Sequence, residues 1–170
     1  MLSRVRFRWS PRLRMKINLI CVGTRMPSWV QSGVTEYAKR LPADFAFSVT
    51  EVPLAKRGKS IDIEQVIKKE SEALLSRVRA QDYVVAMEVE GKALSTQGMA
   101  TAIDAIRMEG RNVALLVGGP DGLGASCLAR ADEKWSLSAL TLPHPLVRIL
   151  IAEQVYRAWS VLNAHPYHRA

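Results

Sequence analysis

The sequence is poor in cysteine and in aromatic residues, and it lacks a long uncharged run. Its two cysteines, Cys21 and Cys127, are too few and too far apart for a disulfide framework or a cysteine-rich zinc site, which favours a cytoplasmic protein. The longest stretch without Asp, Glu, Lys or Arg is Trp135 to Val147. That stretch is shorter than the roughly 20 apolar residues of a membrane-spanning helix and contains two prolines, so no membrane segment is predicted.

The composition is that of a globular protein with an uneven positive charge. Of the 170 residues, 48% are hydrophobic and 24% are charged, which is enough for one core and one domain. The net charge of +8 would attract polyanions such as RNA. Residues 1–14 hold five arginines and no acid, so residues 15–170 carry only +3. We predict that the fold starts at Met15 and that residues 1–14 are a basic extension or an upstream start; an arm that grips RNA is the alternative.

Short apolar runs alternate along the chain with segments whose apolar residues recur every three or four positions. The first pattern is typical of buried strands and the second of amphipathic helices. The alternation predicts an α/β domain, with a mostly parallel sheet of about five strands and helices on both faces. The predicted strands are 16–22, 45–52, 83–89, 113–117 and 134–138, with a turn at Gly91–Lys92; helices are predicted at about 27–41, 62–79, 95–110, 126–131 and 146–163.

The last predicted helix is apolar nearly all the way round, from Leu146 to Leu162. Such a helix must be buried on more than one face. One face can meet the sheet of its own domain, and the other is most simply covered by a second copy of the chain. We therefore predict a homodimer that forms through this helix.

Three loops with glycine or proline follow predicted strands, at residues 89–92, 118–124 and 139–145. Ligands of parallel α/β sheets bind at the carboxyl ends of the strands. Gly118-Gly119-Pro120 could bring backbone amides close to a flat or anionic ligand, or could simply form a tight turn between strand and helix. The loop does not fit G-x-G-x-x-G or the P-loop pattern, so a dinucleotide or nucleoside triphosphate site is only weakly supported.

Histidine is concentrated near the end of the chain. All three histidines lie in the last 27 residues, as His144, His165 and His168. One of them could position or deprotonate a substrate, and a solvated tail is the alternative. No acidic or cysteine partner stands at ligand spacing, so no metal site is predicted.

Two basic features could contact RNA. Lys56-Arg57-Gly58-Lys59 is either a solvated loop or a grip on the phosphate backbone. Arg148 and Arg157 interrupt the apolar last helix, and Glu153 stands four residues before Arg157. The simpler interpretation is an ion pair between these two; the alternative is that the guanidinium groups hold phosphate or a flipped base.

Several separated motifs, in this order, resemble the family of ribosomal RNA large subunit methyltransferase H. The amino-terminal ones are Met15-Lys16, Val22-Gly23-Thr24, Met26-Pro27-x-Trp29 and Lys56-Arg57-Gly58-Lys59. The later ones are Gly118-Gly119-Pro120-x-Gly122-Leu123, Trp135-Ser136-Leu137-Ser138-x-Leu140-Thr141-Leu142-Pro143-His144, Arg148 with Glu153-Gln154-x-Tyr156-Arg157-Ala158, and Pro166-Tyr167-His168-Arg169. The resemblance covers residues 15–170.

This family belongs to the SPOUT methyltransferases, and the resemblance implies their properties. It implies a C-terminal deep trefoil knot, which general rules of chain threading would not suggest, and a homodimer. The implied activity is transfer of a methyl group from S-adenosylmethionine to N3 of a pseudouridine in the 23S ribosomal RNA of an assembled ribosome.

Site residues follow from the resemblance, position by position. The cofactor would be held by Met87, Gly118, Leu137, Ser138, Ala139, Leu140, Thr141 and Leu142. The catalytic residues would be Tyr167, His168 and Arg169, reaching the cofactor site of the other subunit. From their charge rather than from the resemblance, Lys56, Arg57, Lys59 and Arg148 are expected to contact RNA. Met87 stands where the family commonly has leucine, and Ala170 where its tail often ends in an acidic residue.

Two other functions are considered. A non-catalytic, ribosome-associated RNA-binding protein would need the basic loop but not the glycine loop. A dinucleotide-dependent oxidoreductase is weakened by the missing glycine fingerprint.

Overall fold

The computed structural model describes residues 13–169, which form one five-stranded sheet with five α-helices and a short 3₁₀ helix. Most of the predicted extension, residues 1–12, lies outside the described residues. The elements are β1 (Met15–Val22), α1 (Ser28–Ala38), β2 (Phe45–Val52), α2 (Ile63–Leu75), β3 (Tyr83–Ala93), α3 (Thr96–Met108), β4 (Val113–Val117), α4 (Ala125–Arg130), β5 (Glu133–Ser136), α5 (His144–Leu162) and the 3₁₀ helix Pro166–Arg169.

The sheet has the strand order β2-β1-β4-β3-β5, and every neighbouring pair is parallel. All five residues of β4 are buried, as expected for a strand with helices on both faces. The predicted parallel sheet of five strands is therefore confirmed, and all five predicted strands are present.

Helices cover both faces of the sheet, as predicted. On one face, Ile17, Leu19 and Cys21 of β1 share a core with α3 and α5, and α1 packs against α5. On the other face, Ile20 and Val22 share a second core with residues of α2 and α4. The side chains of β1 alternate between the two cores because successive residues of a strand point to opposite faces.

Each core contains one of the two cysteines. Cys21 belongs to the core beneath α3 and α5, and Cys127 belongs to the core beneath α2 and α4. Both thiols are fully buried. Burial raises the pKa of Cys21 to about 11, and it raises the pKa of Cys127 as well.

The turn predicted at Gly91–Lys92 is wrong, because β3 continues to Ala93. Trp135 of β5 pairs with Met87 and again with Lys92, so residues 88–91 form a bulge between two stretches of ladder. At Gly91 an added Cβ would lie 2.7 Å from the carbonyl carbon of Trp135. Glycine is therefore needed there for close approach of two backbones rather than for a turn.

The helices agree with their predicted positions, although two end three or four residues earlier than predicted. α1 ends at Ala38 and α2 at Leu75. Asp62 caps α2 by accepting a hydrogen bond from the Glu64 N–H at 2.9 Å, as its sequence position suggests. Within residues 13–169, no helix is long and apolar enough to cross a membrane.

Candidate functional site

The carboxyl ends of β3, β4 and β5 meet around a cavity of about 260 Å³. This volume is near the lower end of the roughly 300–1,000 Å³ range of small-molecule sites. The cavity is lined by residues 87–89, by most of residues 117–123 and by most of residues 135–144, together with Val147. Two of the three predicted loops, 118–124 and 139–145, therefore converge on one place; residues 89–92, predicted as the third loop, lie instead within β3 and contribute Val89.

Seven of the eight residues predicted to hold a cofactor line this cavity. They are Met87, Gly118, Leu137, Ser138, Leu140, Thr141 and Leu142. The eighth, Ala139, lies in the same segment but does not contribute to the lining. The residues brought together are mostly apolar or lack a side chain, so main-chain groups supply much of the polarity of the wall.

The glycine loop, residues 118–124, folds back on itself at the cavity. The Gly122 N–H donates to the Gly119 carbonyl at 3.0 Å, and Gly122 has a φ of +85°, a conformation that glycine adopts without strain. A Cβ added at Gly118 would lie 2.5 Å from the carbonyl carbon of Gly122. The compact turn therefore excludes a side chain at Gly118.

The segment 137–142 is fixed by two hydrogen bonds around Ser138. The Ser136 hydroxyl donates to the Ser138 carbonyl at 3.1 Å, and the Leu140 N–H donates to the Ser138 hydroxyl oxygen at 3.0 Å. These bonds turn the backbone so that the side chain of Leu140 is 72% exposed at the cavity mouth. An apolar side chain this exposed is available to pack against a bound ligand.

Two ionisable residues of the cavity were not among the predicted site residues. Glu88 is the one carboxylate among the lining residues, and burial raises its pKa. His144 is the one histidine among them. Both had a sequence signal, since Glu88 follows Met87 directly and His144 lies in the predicted loop 139–145. The other lining residues not predicted are Val89, Val117, Gly119, Pro120, Gly122, Leu123, Trp135, Ser136 and Val147.

His144 should make the stability of the protein fall at mildly acid pH. Burial, followed by the charge of Arg148, lowers its pKa below the ordinary value of 6.5. As the pH falls through that value, the unfolded chain takes up a proton before the folded one does, which favours unfolding. We expect the free energy of unfolding, measured by urea denaturation, to fall more steeply between about pH 7 and about pH 5 in the wild type than in His144→Asn. Parallel curves would contradict this.

The predicted catalytic residues Tyr167, His168 and Arg169 lie in the final 3₁₀ helix, and none of them lines the cavity of its own chain. The Tyr167 hydroxyl donates to Glu153 Oε1 at 3.0 Å. Glu153 is nine residues after His144, or about 14 Å along α5. The tail therefore packs beside the middle of α5, away from the helix end that faces the cavity.

The hydrogen-bond contacts of Tyr167 and His168 indicate which atom of each side chain carries a hydrogen. Burial, together with the hydrogen bond to Glu153, raises the pKa of Tyr167 to about 12, so its phenol stays protonated at neutral pH. His168 Nδ1 contacts the carbonyl oxygen of His165, which can only accept a hydrogen bond. In the neutral imidazole Nδ1 therefore carries the hydrogen, and Nε2 is left able to accept a proton.

Of the four residues predicted to contact RNA, two are exposed lysines and two are arginines that form ion pairs within the protein. Lys56 and Lys59 are exposed. Arg148 is only 2% exposed; its guanidinium lies 2.5 Å from Glu51 Oε1 and donates to the Gly23 carbonyl at 2.7 Å. This burial argues against the RNA contact predicted for Arg148 and gives it a structural role between α5 and the end of β1.

Arg57 is also engaged within the protein, with Glu70 and Asp121. The ion pair anticipated between Glu153 and Arg157 is present at 2.7 Å. In the part of the chain that the structure describes, no group of three or more His, Cys, Asp or Glu side chains could hold a metal ion.

Solved structures described as methylase family proteins have a similar fold. A methylase family protein from Haemophilus influenzae Rd KW20 aligns with 91% of this chain and 70% of its own, with a TM-score of 0.52 and 16% identity. Another from Neisseria gonorrhoeae aligns with 88% of this chain and 85% of its own, with a TM-score of 0.51 and 12% identity. At these identities the likeness concerns the fold alone.

Comparison of sequences is more specific. The family model described as "Predicted SPOUT methyltransferase" matches residues 15–168. Curated proteins named ribosomal RNA large subunit methyltransferase H are 56% identical in Marinomonas sp. (strain MWYL1), 55% in Chromohalobacter salexigens and 54% in Pseudomonas putida F1. Each alignment covers 91% of this chain and all of the relative. The chain therefore belongs to the SPOUT methyltransferases, within the family of ribosomal RNA large subunit methyltransferase H.

Proposed function

We propose that this methyltransferase transfers a methyl group from S-adenosylmethionine to N3 of pseudouridine 1915 in the 23S ribosomal RNA of the assembled ribosome. The observation that carries the proposal is the cavity at the carboxyl ends of β3, β4 and β5, where a glycine backbone faces a wall of apolar side chains. Relatives of 54–56% identity, named for a ribosomal RNA substrate, support the choice of RNA.

The residues present fit S-adenosylmethionine. Leu137, Leu140 and Leu142 offer apolar surfaces to a flat adenine ring, and main-chain amides and carbonyls of the same segment can read its edge. The absence of a side chain at Gly118 lets the glycine loop fold tightly against Gly122, which places its backbone in the cavity wall. The carboxylate of Glu88 in the lining suits a ligand that carries positive charge.

When bound, S-adenosylmethionine supplies a methyl group on a positively charged sulfur that is already strongly electrophilic. The protein must therefore align the uracil ring and remove the N3 proton. His168 can accept that proton at Nε2, because Nδ1 is committed to the His165 carbonyl. Arg169, which is exposed, can hold a phosphate or a carbonyl oxygen of the substrate.

The tail of one subunit would act in the cavity of the other. Within one chain the tail packs along α5 near Glu153, while the cavity lies at the start of that helix. A homodimer built on α5 would bring the tail of each subunit towards the cavity of its partner. Catalysis would then depend on the dimer.

The proposed dimer rests on apolar side chains that α5 exposes. Leu146 and Leu150 are one turn apart and are 42% and 38% exposed. We expect light scattering at micromolar concentration to give about twice the chain mass of 18.9 kDa. Leu150→Arg should give a monomer, because a charge would be buried against an apolar surface. Ile63→Arg, at a more exposed apolar site on α2 at the opposite face, is the control and should remain dimeric. A monomeric wild type would refute the dimer.

The deep trefoil knot also belongs to the proposal. α4 lies on the α2 face of the sheet and α5 lies on the opposite face. The chain therefore changes faces between residues 130 and 144, around the edge strand β5 and through the segment that lines the cavity. If α5 passed through a loop of the chain at this point, the knot would hold residues 137–142 in place at the cavity.

We further propose that residues 15–170 form the single catalytic domain, that residues 1–14 are dispensable for catalysis, and that the protein works in the cytoplasm, where ribosomes are. Mass spectrometry of the natively expressed protein would show whether residues 1–14 are present. If present, their five arginines should strengthen RNA affinity in a salt-dependent way.

Two measurements test the function. Calorimetry should detect binding of S-adenosylmethionine and not of NADH; binding of neither would favour the non-catalytic RNA-binding protein, and binding of NADH alone an oxidoreductase. Primer extension across the modified helix, on ribosomes from a deletion strain, should show a stop at the pseudouridine only after incubation with protein and S-adenosylmethionine. Absence of that stop, with the cofactor bound, would reject the substrate.

A further inference from the structure

Two buried polar side chains of α2 contact the glycine loop and support it. Glu70 and Ser71 are 2% and 1% exposed. The Ser71 hydroxyl oxygen accepts a hydrogen bond from the Gly124 N–H at 3.0 Å. At the other end of the loop, a Cβ added at Gly119 would lie 2.5 Å from Glu70 Oε2. The loop therefore rests directly on α2, at the side away from the cavity.

Arg57 extends this support to the tip of the glycine loop. Its guanidinium donates to Glu70 Oε1 at 3.0 Å and to Asp121 Oδ2 at 2.8 Å and 3.1 Å. Glu70 Oε1 also accepts from the Ala55 N–H at 3.0 Å, so the basic loop, residues 55–60, is fastened at two points. One guanidinium thus links the basic loop, α2 and the glycine loop.

These contacts give Arg57 a different role from its neighbours. Lys56 and Lys59 are exposed and form no ion pair with another described residue. Arg57 is 31% exposed at its side chain, and two carboxylates already share its charge. A phosphate would have to compete with both carboxylates, and displacing Arg57 would leave the buried Glu70 without its cationic partner at considerable cost.

We propose that Arg57 is a positioning residue of the cofactor site, which fixes the glycine loop through Asp121 and Glu70 and sets cofactor affinity rather than RNA affinity. This inference rests on the proposed binding of S-adenosylmethionine. Without the Arg57–Asp121 link, the loop would sample more conformations, and ordering it again on binding would weaken affinity. The bridge does not itself touch the cavity, so it acts only through the loop.

The test compares Arg57→Ala with Lys59→Ala, a cation of the same loop. Calorimetry with S-adenosylmethionine should show a roughly tenfold higher Kd for Arg57→Ala and an unchanged Kd for Lys59→Ala. Binding to ribosomes from a deletion strain should show the reverse, with affinity lost in Lys59→Ala and little changed in Arg57→Ala. Arg57→Lys, which keeps the charge but not the planar fork, should recover part of the cofactor affinity.

Asp121→Ala provides a second variant in case Arg57→Ala fails to fold, because it removes only the contact with Arg57 at the loop tip. This variant should raise the cofactor Kd several-fold. The double variant should bind the cofactor no more weakly than Arg57→Ala alone, since Arg57→Ala already breaks the link to Asp121. Unchanged cofactor affinity in both single variants, or additive losses in the double variant, would overturn the inference. Failure of the wild type to bind S-adenosylmethionine would instead refute the proposed function.

Discussion

Replacing Gly118 with alanine is expected to weaken S-adenosylmethionine binding by at least about 100-fold, which corresponds to roughly 2.7 kcal/mol. The new Cβ would lie 2.5 Å from the carbonyl carbon and 2.6 Å from the carbonyl oxygen of Gly122. These are backbone atoms, so no side-chain rotation can relieve the contact, and the turn that forms part of the cavity wall must change shape. Gly118→Val should be worse still. Calorimetry on protein whose fold is checked by circular dichroism measures the loss.

Gly110→Ala is the matched control for this substitution. Gly110 has a φ of +72°, and an added Cβ there would meet no atom within 4 Å. The variant should lose about 1 kcal/mol of stability through backbone strain, and its cofactor affinity should stay at the wild-type level. If Gly118→Ala binds S-adenosylmethionine within about threefold of the wild type, the glycine loop is not part of the cofactor site.

Deletion of residues 167–170 is expected to abolish methylation while sparing cofactor binding. A general acid or base contributes typically 100-fold to 10,000-fold to a rate, and Tyr167, His168 and Arg169 would all be removed. None of them lines the cavity of its own chain, so the Kd for S-adenosylmethionine should change by less than about threefold. The single-turnover rate with ribosomes from a deletion strain is the measurement, since it separates chemistry from product release.

Deletion of Ala170 alone is the control for the truncation and should retain full activity. His168→Gln should account for much of the loss, because glutamine can replace the hydrogen bond to His165 but cannot accept a proton at neutral pH. Full activity of the truncated protein would refute the assignment of the tail to catalysis, whatever its Kd for S-adenosylmethionine.

The positions of four strands along the chain were predictable because each contains a short apolar run followed by glycine, proline or a charged residue. β2 and β4 have the bounds that the sequence predicts, Phe45–Val52 and Val113–Val117. The bulge at residues 88–91 was not predictable, because glycine at position 91 is compatible with both a turn and a close approach of two backbones. Only the second pairing of Trp135, with Lys92, distinguishes them.

Some features of the candidate site were likewise predictable from the sequence, and others were not. The loops were predictable as a group, because the carboxyl ends of parallel strands share one edge of the sheet. The partners of the charged residues were not, because they depend on contacts between distant parts of the chain. Arg57 meets Asp121, 64 positions away, and Arg148 meets Glu51, 97 positions away. A basic residue that looks available for RNA in the sequence can therefore already have carboxylate partners within the fold.

The separation of the two cysteines between the two cores has a practical consequence for studying how the domain opens. Cys21 can react with an alkylating reagent only when the layer of α3 and α5 lifts from the sheet, and Cys127 only when the layer of α2 and α4 does. The raised pKa of each thiol keeps background reaction slow. Alkylation followed by mass mapping would thus give the opening rate of each layer separately, from the unmodified sequence and without introducing a probe.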